Sequence, residues 1–218
     1  MKTDRRSVII GSALAGVALF AGGTLSAIMD VADARADPSP EALAQAGPLG
    51  DVVLGSDQAP VTIVEYASLT CPHCAAFATE TFPQLKEKYI DTGKVKFIFR
   101  EMPFDDLALA AAMVARCVPK DKFIPMVEML FEQQKQWANQ NARQELFNIA
   151  KLSGMTQTQF DECLKNEEIA KGLIDTSQRA TKEFGVDSTP TFFVNGKILK
   201  GNRPLADFEA LIKEAAPT

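Results

Sequence analysis

The hydrophobic residues in the first half of the chain fall into strand-like and helix-like patterns. Val61 to Ala67 is rich in β-branched and aromatic residues and predicts a buried strand, and Val52 to Leu54 predicts a shorter strand before it. Pro72 to about Tyr89 has helical spacing, and Pro83 is expected to kink this helix because it removes one backbone hydrogen bond. Lys94 to Phe99 alternates polar and apolar residues as a second main strand. Strand, helix and strand in this order predict a right-handed βαβ unit.

Between about positions 104 and 185 the hydrophobic spacing is helical throughout. Breaks at Pro119, at Asn139 to Asn141 and at Gly154 separate the helices, and Gly185 is placed to end the last one in the left-handed conformation. The predicted helices are Leu107 to Cys117, Phe123 to Trp137, Ala142 to Leu152, Thr158 to Leu164 and Glu168 to Phe184. This part of the chain is therefore predicted to be a helical insertion.

The pattern returns to strands near the end of the chain. Thr191 to Val194 and Lys197 to Lys200 flank Asn195-Gly196, the dipeptide most typical of a two-residue hairpin turn. Pro204 to Ala215 predicts a closing amphipathic helix. Strands on both sides of a helical insertion predict an α/β domain that occupies residues 51 to 218.

The first 36 residues have the pattern of an export signal. Lys2, Arg5 and Arg6 form a positively charged start. The uncharged run Ser7 to Met29 follows, and Ala34-Arg35-Ala36 provides a small-x-small cleavage site. The adjacent arginines also resemble a twin-arginine signal, and the uncharged run is long enough to stay as an uncleaved membrane anchor. With or without cleavage, the domain is expected outside the cytoplasm, where disulfides persist.

Composition and charge limit the classes of partner. The chain has 218 residues, and an apolar fraction of 46 % is enough for the core of one domain. Residues 37 to 50 are rich in Pro, Ala and Gly and are predicted to be a linker. A net charge of −5 and a pI near 5.0 provide no basic surface for nucleic acid. We therefore expect protein partners. No cofactor is expected, and no metal, because the sequence has no second ligand cluster with suitable spacing.

The motif Cys71-Pro72-His73-Cys74 stands between the predicted strand and the helix. Cys71 is thus expected to cap the helix, with Pro72 as its first residue. Free backbone N–H groups and the positive end of the helix dipole there favour a thiolate, which makes Cys71 the candidate nucleophile. Cys74, one turn later, is expected to be buried with a raised pKa and to act as the resolving thiol.

His73 is the only histidine of the chain and lies between the two cysteines. Its ring is placed to donate a hydrogen bond to the Cys71 thiolate or to carry a positive charge beside it. A surface histidine without a role is the alternative.

These residues, with Glu65-Tyr66 in the strand before them and Thr189-Pro190 far downstream, resemble the DsbA-like thiol:disulfide oxidoreductases of the bacterial periplasm, in particular the alphaproteobacterial type. The resemblance covers about residues 51 to 215. It implies a periplasmic location and a thioredoxin-like α/β fold with an inserted helical subdomain. C-P-H-C is the variant associated with the oxidising branch of the superfamily, whereas C-G-P-C is typical of a reductase.

The resemblance also implies roles for residues outside the C-x-x-C motif. It implies that the bond between Thr189 and Pro190 is cis and faces the cysteines, with the Thr189 backbone turned toward an approaching substrate chain. It implies that Glu65 is a buried acid near Cys74 and accepts its proton. The alternative for Glu65 is an edge position facing solvent, because a buried acid without a partner is costly.

Cys117 and Cys163 both lie in the predicted insertion. Unpaired cysteines beside a dithiol oxidant are not expected in an oxidising compartment, so we predict a structural disulfide between them. The other two connectivities of four cysteines would consume an active-site thiol. Buried free thiols are the alternative.

Three functions are compatible with these residues. The first is an oxidase that donates a Cys71/Cys74 disulfide to unfolded or reduced exported proteins and is reoxidised by a DsbB-like, quinone-linked membrane thiol oxidase. The second is a disulfide isomerase or reductase of the same fold. The third is a non-enzymatic module that binds metal through its thiols or acts as a chaperone. The first is favoured, with the protein expected to be a monomer.

Overall fold

A five-stranded sheet forms the centre of the protein, in a computed structural model that describes residues 37 to 215. The predicted export signal lies outside these residues. The strand order is β1-β3-β2-β4-β5. The strands are β1 Val52–Leu54, β2 Val61–Ala67, β3 Val95–Glu101, β4 Thr191–Val194 and β5 Lys197–Lys200. β2 and β3 are parallel, as the βαβ pattern predicts, and the other neighbours are antiparallel. This architecture confirms the predicted α/β fold class.

The sheet separates two hydrophobic cores. Strand β2 contributes to both of them, because successive side chains of a strand point to opposite faces. Ile63 and Ala67 belong to the larger core, which includes the helix after β2 and most of the insertion. Val64 and Tyr66 belong to the smaller core on the opposite face of the sheet. Glu65 shares the alternation of Ile63 and Ala67, so its side chain lies on the face that carries the C-x-x-C motif.

The helix that follows β2 is continuous and is called the redox helix below. Its four segments are Pro72–Ala76 in the α form, Phe77–Thr81 in the π form, Phe82–Leu85 in the α form and Lys86–Ile90 in the π form. The Phe82 N–H bonds to the carbonyl of Phe77, as in a π turn. The disturbance predicted at Pro83 thus takes the form of widened turns on both sides, which accommodate its missing N–H.

The insertion consists of short helices packed around a shared core. They are Asp106–Arg116, Phe123–Glu132, Gln134–Trp137, Ala142–Leu152, Gln157–Cys163 and Glu167–Phe184, with a 3₁₀ turn at Lys120–Lys122. The last helix ends at Gly185, whose φ of 67° is the predicted left-handed cap. Its N-terminal half packs in the insertion core, and its C-terminal end covers the smaller core of the sheet.

The prediction of one helix over 123 to 137 was wrong, because this helix breaks at Gln133. No glycine or proline marks the break in the sequence. The Trp137 indole N–H donates to the carbonyl of Leu130 at 2.7 Å, the carbonyl that Gln134 N–H would bond in a continuous helix. A buried tertiary hydrogen bond therefore replaces a helical one.

A disulfide between Cys117 and Cys163 is present in the insertion, with Cα atoms 6.1 Å apart. It joins the residue that ends the helix Asp106–Arg116 to the last residue of Gln157–Cys163. Two helices that are distant in the sequence are thereby held together beside the sheet.

The segment 37 to 50 packs on the domain, which differs from the linker that its composition predicts. Its short helix Pro40–Ala44 buries Leu43, whose exposed fraction is 3 %. The buried Arg100 donates to the carbonyls of Leu43 and Gln45, and Arg179 also bonds to the end of this helix. Arginines on β3 and on the last insertion helix thus donate to the free carbonyls at the end of this helix. The composition of residues 37 to 50 does not reveal these contacts, because both arginines lie elsewhere in the chain.

The end of the chain follows the prediction. Asn195 and Gly196 have positive φ values of 44° and 93° and form the tight turn between β4 and β5. The closing helix is Leu205–Ala215. Within residues 37 to 215, the helices are too short or too polar to cross a membrane.

Candidate active site

Cys71 caps the redox helix in the extended conformation that a cap requires, with φ −77° and ψ 119°. Pro72 is the first helical residue, as predicted. The Cys71 carbonyl starts the helix by accepting from Ala75 N–H at 3.1 Å. The Cys71 side chain is partly exposed and Cys74 is buried, and both are free thiols. The first sulfur is therefore accessible to another molecule, and the second is shielded behind it.

The two thiols differ strongly in acidity. A hydrogen bond from the Cys74 side chain lowers the pKa of Cys71 to about 5, with further contributions from Thr189 and from the backbone N–H groups of Cys74 and His73, while burial acts in the opposite direction. Burial raises the pKa of Cys74 well above its usual range, and its proximity to Cys71 and Glu65 adds to this effect. At neutral pH the arrangement therefore holds a thiolate at Cys71 and a thiol at Cys74.

The peptide bond between Thr189 and Pro190 is cis, and this segment lies beside the first cysteine. The Cys71 thiol donates to the Thr189 carbonyl at 3.3 Å. The Thr189 hydroxyl is buried and has no hydrogen-bond partner among residues 37 to 215 while the sulfur is a thiol. When Cys71 is ionised, the sulfur is the acceptor that this hydroxyl lacks.

Glu65 lies in the centre of the sheet, which excludes the edge position considered from the sequence. It pairs with Phe99 on β3 and Phe192 on β4, and only 4 % of its surface is exposed. Burial raises the pKa of Glu65 to about 8, and the negative charge of the Cys71 thiolate adds to the effect. A buried carboxyl with this pKa can gain or lose a proton near neutral pH.

Glu65 also lines a small cavity between the redox helix and the insertion. The cavity has a volume of about 20 Å³, is walled mainly by phenylalanines and includes Glu128 of the helix Phe123–Glu132. Burial raises the pKa of Glu128 as well, although Lys86 opposes it. The volume suffices for one water molecule. Glu128 gave no signal in the sequence, where it is one acid among the polar positions of a helix.

The structure places the His73 ring at the protein surface, and this ring makes no hydrogen bond to any residue between 37 and 215. The group of His73 that lowers the Cys71 pKa is its backbone N–H. The position between the cysteines was predicted to act through the ring. The helix geometry gives a role to the main chain at this position, which any residue except proline supplies, and the role of the ring stays a prediction.

Two interactions hold the loop before Cys71, and sequence reasoning missed both. The Thr70 hydroxyl donates to Asp105 at 2.9 Å. The side-chain amide of Gln134 donates to the carbonyls of Leu69 and Cys71 at 2.8 and 3.0 Å. Asp105 was detectable as a helix cap, because it also accepts from Ala108 N–H at 2.7 Å. Gln134 carries no sequence signal.

The region that the structure describes holds no cluster of three or more His, Cys, Asp or Glu residues suited to a metal ion. The two thiols at the redox helix thus have no third protein ligand within residues 37 to 215.

Comparison with known proteins gives a consistent set of similarities. The family model described as thioredoxin matches residues 49 to 214. A Rickettsia bellii protein provisionally named protein-disulfide oxidoreductase is 38 % identical over 148 residues, which are 67 % of this chain. The chain spans only 57 % of the length of that relative. Disulfide bond formation protein D of Bacillus subtilis is 30 % identical over 171 residues, or 74 % of each chain.

Solved structures resemble the fold over most of the described region. Wolbachia pipientis alpha-DsbA1 superposes with a TM-score of 0.74 and 32 % identity, covering 82 % of this chain and 96 % of that one. Oxidised BdbD from Bacillus subtilis has a TM-score of 0.70 and 28 % identity, covering 83 % and 96 %. A protein-disulfide isomerase from Novosphingobium aromaticivorans has a TM-score of 0.67 and 26 % identity, covering 78 % and 98 %.

Proposed function

Because the chain belongs to the DsbA-like branch of the thioredoxin family, we propose that it is an oxidase that donates a disulfide between Cys71 and Cys74 to other proteins. The observation that carries this proposal is the asymmetry of the two sulfurs. Cys71 is accessible and acidic at the start of a helix, whereas Cys74 is buried and holds its proton. Only the first sulfur can be reached by a substrate.

The proposed exchange has two steps. A substrate thiolate attacks the Cys71 sulfur of the oxidised protein, a mixed disulfide forms, and Cys74 leaves as a thiolate that takes up a proton. A second substrate thiolate then attacks the substrate sulfur of the mixed disulfide and displaces Cys71. The substrate loses two electrons and gains a disulfide, while the protein becomes a dithiol. The low pKa of Cys71 makes it the better leaving group in the second step.

The acidity of Cys71 also favours oxidation of the substrate over its reduction. With a pKa of about 5, against ~7 for thioredoxin, the reduced form gains about 2.3 kcal/mol at pH 7, or about 50 mV for a two-electron couple. This gain makes the couple more oxidising than thioredoxin. It is smaller than the gain expected for a pKa of ~3.5, the value typical of a strong DsbA oxidant.

The remaining site residues support the thiols in this proposal. Glu65 accepts and returns the proton of Cys74, because its raised pKa lies in the working range. Pro72 and the backbone of His73 begin the helix whose N–H groups stabilise the Cys71 thiolate. The segment Thr189-Pro190 faces the substrate, and the Thr189 hydroxyl stabilises the thiolate.

We also propose the setting in which the protein works. The DsbA-like relatives and the export signal predicted for residues 1 to 36 support a periplasmic location. The substrates are reduced or unfolded exported proteins, and a DsbB-like membrane thiol oxidase restores the disulfide. A monomer suffices for this cycle, because one domain carries both cysteines and the acid.

Equilibration with glutathione buffers at pH 7 tests the proposal, with the Cys71/Cys74 couple expected to be more oxidising than thioredoxin by about 50 mV. Cys71→Ser should abolish oxidation of a reduced model protein, and Cys74→Ser should accumulate mixed disulfides with it. A couple as reducing as thioredoxin would support the reductase instead. Rapid rearrangement of scrambled disulfides with little net oxidation would support the isomerase.

A further inference from the structure

Gln134 connects the insertion to the backbone of the active-site loop. It lies directly after the helix break at Gln133, and only 7 % of its surface is exposed. One side-chain nitrogen donates to the carbonyl of Leu69 at 2.8 Å and to that of Cys71 at 3.0 Å. A side-chain amide nitrogen has two hydrogens, so both of its donors are committed to this loop.

The other bonds of the loop show what Gln134 adds. Cys71 N–H donates to the carbonyl of Ser68 at 3.1 Å, and the Cys71 carbonyl accepts from Ala75 N–H at 3.1 Å. These bonds join Cys71 to the loop and to its own helix, but neither comes from the insertion. Between residues 37 and 215, the hydrogen bond from Gln134 is the one that ties the Cys71 backbone to the helical insertion. It also supplies the Leu69 carbonyl with a donor, which a buried carbonyl requires.

We propose that Gln134 is a positioning residue that fixes the backbone of Cys71, so that its sulfur is held beside Thr189 and the first N–H groups of the redox helix. The inference rests on the proposed role of Cys71 as the exchanging sulfur. Hydrogen bonds to a thiolate weaken steeply with distance and angle, so a small displacement of the Cys71 backbone removes much of their effect. The helix break at Gln133 has a function in this view, because it turns residue 134 toward the loop.

The test separates hydrogen bonding from packing with two variants. Gln134→Met keeps nearly the same length and volume but has no donor, and Gln134→Ala removes both. Both variants should decrease the acid dissociation constant of the Cys71 thiol by up to about tenfold, measured by thiolate absorbance across a pH titration. The equilibrium constant with glutathione should shift toward the disulfide form by a similar factor. Gln136→Ala is the matched control, since Gln136 is an exposed glutamine in the same short helix.

The outcomes are distinguishable. If Gln134→Met titrates like the wild type and only Gln134→Ala is altered or unstable, Gln134 fills space and the positioning role is wrong. If both variants melt at a lower temperature with unchanged thiol titration, the amide stabilises the fold alone, and the proposal fails as well. If the wild-type Cys71 itself titrates like an ordinary thiol, the proposed oxidase function fails, independently of Gln134. Methionine has nearly the side-chain volume of glutamine, so the Cys71 titrations of Gln134→Met and the wild type can be compared even if Gln134→Ala does not fold.

Discussion

At the scale of single residues, the chemistry depends on which polar groups surround one sulfur. The Cys71 thiolate receives hydrogen bonds from Cys74, from the Thr189 side chain and from backbone N–H groups. Ionisation of the buried acid Glu65 would have the opposite effect on the thiolate, because it would place a second negative charge near the sulfur. The hydrogen-bond donors to the sulfur and the neutral form of Glu65 therefore both favour the Cys71 thiolate.

Thr189→Val should raise the pKa of the Cys71 thiol, because valine has the shape of threonine without the hydroxyl that favours the thiolate. An increase of about 1 is expected, with a correspondingly more reducing couple. Thiolate absorbance during a pH titration measures it. Thr191→Val provides a control, because the buried Thr191 hydroxyl bonds to the Ser188 carbonyl and is not among the groups that lower the Cys71 pKa. An unchanged Cys71 titration in Thr189→Val would remove the hydroxyl from the mechanism.

Glu65→Gln should make the protein more stable at pH 8 than the wild type. In the wild type the folded pKa of Glu65 is raised to about 8 from its usual 4.5, so the unfolded chain ionises first as pH rises. Stability contributed by the protonated acid is therefore lost as pH rises from 4.5 to 8. The stability difference between variant and wild type should grow across this window by up to about 4 kcal/mol.

Urea unfolding at pH 5 and pH 8 measures this difference, with the exposed Glu87→Gln as a control. The same variant should resolve mixed disulfides more slowly, because the proton acceptor of Cys74 is gone. Equal pH dependence of stability in variant and wild type would show that Glu65 ionises normally in the folded protein.

At the scale of secondary-structure elements, an ion pair joins the insertion to the sheet, and a disulfide joins two of the insertion helices. Arg116, at the end of the first insertion helix, forms an ion pair with the buried Glu101 of β3. The disulfide between Cys117 and Cys163 begins at the next residue and reaches the helix Gln157–Cys163. Both connections involve the end of the first insertion helix, which also contacts the helix Phe123–Glu132 that carries Glu128.

Replacing both Cys117 and Cys163 by alanine should lower stability without altering the redox chemistry. A disulfide with a sequence separation of 46 residues constrains the unfolded chain by about 4 kcal/mol. The variant should lose most of this amount in urea unfolding. The Cys71/Cys74 equilibrium with glutathione should stay unchanged, because neither residue contacts the site. A shifted equilibrium would mean that the disulfide acts on the active site through the insertion.

At the scale of the whole molecule, the redox state of one site is linked to the folding free energy. The Cys71 thiolate is stabilised only in the folded, reduced protein, whereas the disulfide gains nothing from the same donors. Oxidation in turn constrains the unfolded chain, but the loop from Cys71 to Cys74 is short and contributes only about 2 kcal/mol.

The melting temperature of the reduced form relative to the oxidised form should therefore rise with pH. The folded pKa of Cys71 is depressed to about 5, so its stabilising effect is complete above the unfolded pKa of ~8.5 and is lost as pH falls through 5. At pH 7 it amounts to about 2 to 3 kcal/mol, close to the disulfide contribution. The reduced form should melt higher at pH 8.5 and the oxidised form higher below pH 5. Calorimetry of both forms at these pH values checks the order, and a pH-independent difference contradicts it.

The sequence by itself determined the features that depend on neighbouring residues. Runs of β-branched and aromatic residues predicted β1 and β2 with the observed bounds, and Asn195-Gly196 predicted its turn, because these signals reflect local conformational preference. The position of Pro72 after Cys71 likewise predicted the helix cap, because the conformation of a cap depends on a single turn of backbone. Resemblance to a known family supplied the expectation of a cis bond before Pro190.

Only the tertiary structure decided the features that depend on contacts between distant segments. The sequence around Gln133 contains no helix breaker, whereas in the structure Gln134 bonds to the distant active-site loop and the Trp137 indole takes a carbonyl of the preceding helix. The segment 37 to 50 packs on the domain because Arg100 and Arg179 bind its carbonyls. Burial and hydrogen bonding, which set the acidity of the active-site thiols, are likewise properties of the assembled environment and not of residue type.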